Sequence, residues 1–247
     1  MDHRRAAKRD TLPWHVSVGV RQNRGPILTA NEGHQGGGTI IGARWVLTAA
    51  HCLAAISDLL TADGGFTPCN DVRLAVVSGT DLDRPTREID VTLALVHPDF
   101  DPRSLMYDAA LLRLARDVDG AIPLVSNDLV TGDSGIVGGW TPPEAATHPR
   151  RSVAWARMQV AADDVDARAA GCAIVCHPAT MFAAGECGAR KGDSGGGFVV
   201  HMAGAPRLGG ILSWSASALR QPAASVFTRT FPLAAWIAEQ TGAFPPS

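Results

Sequence analysis

Charge of one sign, long apolar runs, helix-forming stretches and internal repetition are all scarce in this 247-residue chain. The formal net charge is only -2 and the pI is near 6.4. Nothing here resembles the basic footprint that a phosphate backbone attracts, so nucleic acid is not an expected partner. No apolar run approaches the eighteen or so residues of a membrane span, and the most apolar windows, such as Gly209 to Trp214, are of strand length. The charged opening, Met1-Asp2-His3-Arg4-Arg5, is followed by no apolar core of a secretory signal. No repeat or low-complexity tract suggests a solenoid or a linker, and no clustered carboxylate loop suggests calcium. Five cysteines point towards an oxidising compartment, while their odd number keeps the cytosol open.

What is present is a chain able to bury a core, with 46% hydrophobic residues and a slightly positive mean hydropathy. Short apolar runs recur between Gly, Pro and Asp clusters at Val16 to Val20, Thr39 to Thr48, Val72 to Ser78, Val91 to Val96 and Ala109 to Leu114. The rhythm continues through Ser134 to Trp140, Val153 to Val160, Gly196 to Met202, Leu208 to Trp214 and Ser225 to Thr230. One helix is expected, over about 232–240, from Pro232 at its start and Gly242 beyond its end. The pattern predicts an all-β fold of antiparallel β-barrels, with a seam in the turn-rich stretch from Asp117 to Asp133.

The chemistry centres on Gly192-Asp193-Ser194-Gly195-Gly196. Glycines around a serine let the backbone turn sharply and present both the hydroxyl and neighbouring N–H groups, as acyl transfer requires. The same pentapeptide fits the nucleophile elbow of α/β-hydrolases, but that fold needs an acid and then a histidine downstream. After Ser194 the chain has His201 and then Glu239, in the wrong order, and the following residues continue as a strand where a helix is required. The upstream partners are better placed. Trp45 to His51 runs as an apolar strand into a histidine, and Asp108 opens the apolar run to Leu114.

In Thr48-Ala49-Ala50-His51-Cys52, Asp108-Ala109-Ala110-Leu111-Leu112 and the Ser194 segment, the chain resembles the chymotrypsin-like (trypsin-like) serine proteases. Pro13-Trp14-His15-Val16-Ser17, Val96-His97-Pro98, Gly139-Trp140, Ser213-Trp214 and Trp236-Ile237 extend the likeness over nearly the whole chain. The resemblance implies two six-stranded antiparallel β-barrels with a C-terminal helix: residues 1–116 carrying His51 and Asp108, and residues 117–247 carrying Ser194. It implies Ser194 as nucleophile, His51 as general base, Asp108 as the residue orienting it, Ser213 bonding that acid, and the N–H groups of Gly192 and Ser194 as oxyanion hole. It further implies a protein or peptide substrate, a protein inhibitor as possible partner, no cofactor, and a secreted or cell-envelope location.

The departures from the family are as informative. Gly36 stands where the cysteine beside the catalytic histidine usually finds its partner, so Cys52 either pairs elsewhere, with Cys69 as the nearest candidate, or stays free. Arg190 replaces another common cysteine, and Cys187 is expected to pair with Cys172 or Cys176. Those cysteines with His177 lack the short paired spacings of a zinc site. Gly188, Ser213, Trp214, Ser215 and Ser225 fall at substrate-binding positions. Gly188 removes the carboxylate that would select Arg or Lys, and Ser215 and Ser225 should narrow the slot to small or medium aliphatic groups. Arg190 and Lys191 offer acidic preference as a second expectation, or plain solvated loop charges. Met1-Asp2-His3-Arg4 falls where an apolar segment normally supplies an amino group to the aspartate at Asp193. Either the Met1 amino group substitutes, or the protein is zymogen-like, a protease-fold binding protein. His3, His15, His34, His97, His148, His177 and His201 are read as structural.

Overall fold

A computed structural model of the chain describes residues 5–6, 11–22, 33–65, 72–140, 153–161, 176–185, 189–215 and 224–242. Met1, Cys69, Cys172, Cys187 and Gly188 lie outside the described residues.

Six strands close a first barrel: β2 (His15–Gln22), β3 (His34–Gly42), β4 (Trp45–Thr48), β5 (Val72–Ser78), β6 (Arg87–Val96) and β7 (Ala110–Leu114), in the order β2-β3-β4-β7-β6-β5. Alternating valines, leucines and isoleucines suit a pleated, half-buried surface. Here Val16, Val18, Ile40, Val46, Leu74, Val76, Ile89, Leu112 and Leu114 form one buried cluster. The run expected as one strand from Thr39 to Thr48 is instead a hairpin, because the chain turns at Ala43–Arg44 and Thr39 pairs with Leu47.

The second sheet contains β1 (Arg5–Ala6), β8 (Ser134–Gly139), β9 (Ala154–Gln159), β10 (Met181–Ala184), β11 (Gly197–Met202), β12 (Ala205–Ser215) and β13 (Ser225–Arg229). Six of them run in the order β9-β8-β11-β12-β13-β10. A bridge between Val160 and Ala184, with Ala161 N donating to Ala183 O at 2.9 Å, brings the last edge back to the first. β1 adds a short seventh strand on β9. Phe182, Phe198 and Phe227 fill this barrel, each pair of rings 5.2 Å apart. Burying one such side chain contributes roughly 1.5–3 kcal/mol, and Gly135 leaves the space that the Phe198 ring occupies.

The helix α1 runs from Ala234 to Thr241, two residues later than expected at its start because Pro232 and Leu233 sit in the preceding turn. Gly242, at φ 68°, ends it in the left-handed conformation that lacks a Cβ penalty in glycine. Its Ile237 packs into a cluster shared with Leu47, Leu111 and Leu208, so the helix helps hold the two barrels together.

Candidate active site

The barrels meet where β3 passes the loop that carries Ser194. Gly37 N donates to Ser194 O at 2.6 Å. An ideal Cβ on Gly36 would stand 2.5 Å from that oxygen and 2.6 Å from Cys52 Sγ, and one on Gly37 would stand 3.1 Å from Gly196 Cα. The glycine run of β3 is therefore what admits the second barrel's loop to the first barrel's wall. It also brings the Ser194 carbonyl and the Cys52 sulfur together at Gly36.

His51 is the second residue of a run of 3₁₀ turns, Ala50–Leu59, that follows β4 after Ala49. Asp108 precedes β7, which pairs with β4, so the hydrogen-bonded register of two neighbouring strands brings acid and base together. Asp108 is fully buried and receives three donors: His51 N at 2.9 Å, His51 Nδ1 at 2.7 Å and Ser213 Oγ at 2.5 Å. With Nδ1 donating, Nε2 is the basic nitrogen. The His51 side chain is 31% exposed, open enough to meet a substrate, whereas Asp108 is shut off from water.

Burial pushes the His51 imidazole down, but hydrogen bonds to Asp108 and to Cys52, together with the charges of both, outweigh it and raise its pKa to about 10. Cys52 Sγ lies 3.9 Å from His51 Nε2. Of the two outcomes open to it, pairing elsewhere or staying free, Cys52 shows the second and is a free thiol. Its buried sulfur points at the Gly36 backbone between the barrels. Among the described residues no hydrogen bond joins Ser194 Oγ to His51.

In the Ser194 loop, Asp193 N donates to Arg190 O at 2.9 Å, Gly195 N to Leu212 O at 2.7 Å and Gly196 N to Asp193 O at 3.0 Å. The N–H groups of Gly192 and Ser194 donate to no acceptor among the described residues. Gly192 and Gly195, at φ 101° and 83°, provide the left-handed turns that the loop needs. The Asp193 carboxylate is buried, packs on Gly139 and accepts Arg190 N at 2.9 Å. It thus has a hydrogen-bond partner within its own loop.

His34, read from sequence as structural, holds this loop. Its Nε2 donates to Gly192 O at 2.8 Å, which makes Nδ1 the acceptor for Ser17 Oγ at 2.6 Å. Only its place two residues before Gly36 could have hinted at this. His15 lies beside it, stacked on Trp140 at 5.6 Å, with Nε2 buried and unbonded. Burial pushes its pKa down to about 4; the Asp193 charge opposes the shift and His34 adds to it.

At the substrate-binding positions, Ser225 is fully buried and accepts Ala189 N at 2.8 Å, while Trp214 and Ser215 are half-buried at the end of β12. Arg190 is half-buried and Lys191 exposed. Among the described residues no group of three or more His, Cys, Asp or Glu side chains gathers as a metal site. No helix among them is long and apolar enough to cross a membrane.

The double barrel is that of the trypsin-like serine protease fold, and the family model described as Trypsin matches residues 2–237. The chain belongs to the trypsin family. It is similar to serine protease 56 of Homo sapiens, 30% identical over 222 residues that cover 84% of this chain and 34% of that protein. It is also similar to serine protease 56 of Mus musculus, 28% identical over 223 residues, 85% and 35% of the two chains. The chain thus spans about a third of the length of these curated relatives.

Proposed function

We propose that this protein is a serine endopeptidase that cleaves peptide bonds through an acyl-enzyme, with Ser194 as nucleophile, His51 as general base and Asp108 orienting the base. The observation that carries this reading is the buried Asp108 carboxylate gripping His51 through both its backbone N–H and Nδ1. A serine hydroxyl is a poor nucleophile until a base removes its proton during attack. His51, fixed in one tautomer, takes the proton on Nε2 and returns it to the leaving amine, while Asp108 stabilises the imidazolium. The N–H groups of Gly192 and Ser194 meet the developing oxyanion, and a donor so placed stabilises it by about 3 kcal/mol. Short strands on a rigid scaffold supply this geometry in advance.

The reading includes a preference for small or medium aliphatic P1 residues. Gly188 offers no carboxylate for Arg or Lys, and the buried Ser225 hydroxyl, spent on Ala189 N, belongs to the wall of the slot and adds no charge to it. Substrates are proteins or peptides, with a protein inhibitor as possible partner and a secreted or cell-envelope location. One observation favours a second reading, an inactive or zymogen-like protein: among the described residues it is Cys52 Sγ, 3.9 Å away, and not the Ser194 hydroxyl, that meets His51 Nε2.

Cleavage of a peptide library by the chain and by Ser194→Ala separates the two. The enzyme reading expects cuts after Ala, Val or Leu that vanish in the variant. Folded protein that cuts nothing, or a variant that cuts equally, rejects it.

A further inference from the structure

Asp108 stands at the centre of a three-residue turn, closed by Ala109 N donating to Tyr107 O at 2.7 Å. The residue before it pays for this geometry: Tyr107 sits at φ 52° and Leu105 at φ 56°, in the left-handed region that side chains disfavour. Such strain persists only where the surroundings hold it.

Here the surroundings are an aromatic stack. The Tyr107 ring lies on His97 with centroids 4.8 Å apart and planes 6° from parallel. His97 in turn meets Trp236 of α1 edge-on, at 4.7 Å and 62°. The stack is itself pinned: Asp99 N donates to His97 Nδ1 at 3.2 Å, and His97 N donates to Ala109 O at 3.0 Å. On the opposite side, Thr228 Oγ1 donates to the Asp108 carbonyl at 3.3 Å. The direction of the Asp108 side chain follows from the Tyr107 backbone, and that backbone is clamped by rings from the end of β6 and from the C-terminal helix.

We propose that Tyr107, with His97 and Trp236, is a positioning set that aims the Asp108 carboxylate at His51 and so couples the C-terminal helix to the catalytic pair. Tyr107 touches neither substrate nor reacting atoms; it acts through Asp108. The kinetic consequence rests on the endopeptidase reading, but the geometric one does not, since the proton between His51 Nδ1 and Asp108 exists with or without turnover.

The test compares the whole chain with Tyr107→Phe, Tyr107→Ala and Trp236→Leu by proton NMR of the most downfield imidazole N–H, and by kcat and KM on a peptide cleaved by the unaltered protein. Tyr107→Phe keeps the ring and should retain both signals. Tyr107→Ala should shift or broaden the downfield proton and lower kcat by about 10–100-fold, with KM within about twofold, because a misplaced group costs rate far more than binding. Trp236→Leu should show the same change at smaller size, and decides the matter if Tyr107→Ala does not fold. Variants that lose only thermal stability, with the downfield proton and kcat intact, overturn the proposal. If the unaltered chain cleaves nothing, the endopeptidase reading fails alone and the NMR comparison still judges the clamp.

Discussion

His15→Gln is expected to flatten the loss of stability on the acid side. The His15 ring lies against Trp140, its Cε1 3.1 Å from where a Cβ on Gly37 would stand, and its Nε2 has no partner. Proton uptake there would put a charge in a dry seam between the barrels. The folded pKa of about 4 lies below the unfolded value of 6.5, so between those values the unfolded chain binds the extra proton. The contribution is therefore complete above about pH 6.5 and is lost as the pH falls through about 4. At roughly 1.4 kcal/mol per pH unit, the full effect is about 3 kcal/mol, of which about 2.5 kcal/mol should have gone by pH 4.5. Gln keeps a polar side chain in the site without a titrating group. Urea unfolding of both proteins at pH 7.5 and 4.5 reads the difference: the drop in stability on acidification should be smaller in the variant by about 2–3 kcal/mol. Equal drops in the two proteins would show that His15 is not titrating from a buried, neutral state, and would refute the reasoning.

Two substitutions at the Gly36–Cys52 contact test the rest of the electrostatic and packing account. Gly36→Cys should bridge to Cys52, since its Cβ would stand 2.6 Å from the sulfur. Closing a loop of about 15 residues stabilises by about 3 kcal/mol, a melting point roughly 6–12 °C higher in the oxidised than in the reduced variant. The crowding against Ser194 O affects both redox forms alike, and an air-oxidised sample that keeps all its thiols sinks the prediction. Cys52→Ala removes one of the two groups that hold the proton on His51, so the rising limb of kcat/KM against pH should move to lower pH. A limb that stays where it was shows that the sulfur does not govern the base.

The closeness of His51 and Asp108 was legible because one follows and the other opens an apolar strand that could be read from the sequence. The strands before His51 and after Asp108, β4 and β7, pair directly. Harder to read were elements whose periodicity is masked. β3 carries Gly36-Gly37-Gly38, which have no side chains to alternate, and its hairpin with β4 was read as one strand. β10, Met181–Ala184, is buried on every residue and so shows no period of two. β1 is two residues long, with a charged arginine, and is recognisable only from its pairing with Ala154 and Trp155. His34 was missed because its partners, Ser17 and Gly192, are brought to it by folding, from 17 and 158 residues away. Whether Cys52 pairs or stays free was open for the same reason, as the sequence says nothing of a sulfur buried against Gly36.

The central claim is that Ser194 is a nucleophile activated by His51 and Asp108. The most direct measurement is intact-mass and peptide-mapping analysis after treatment of the folded chain with a serine-directed phosphonate, alongside Ser194→Ala and His51→Ala. The account predicts one adduct, on Ser194, absent from the first variant and strongly slowed in the second. No adduct in folded protein, or an adduct that forms as fast without His51, would contradict it.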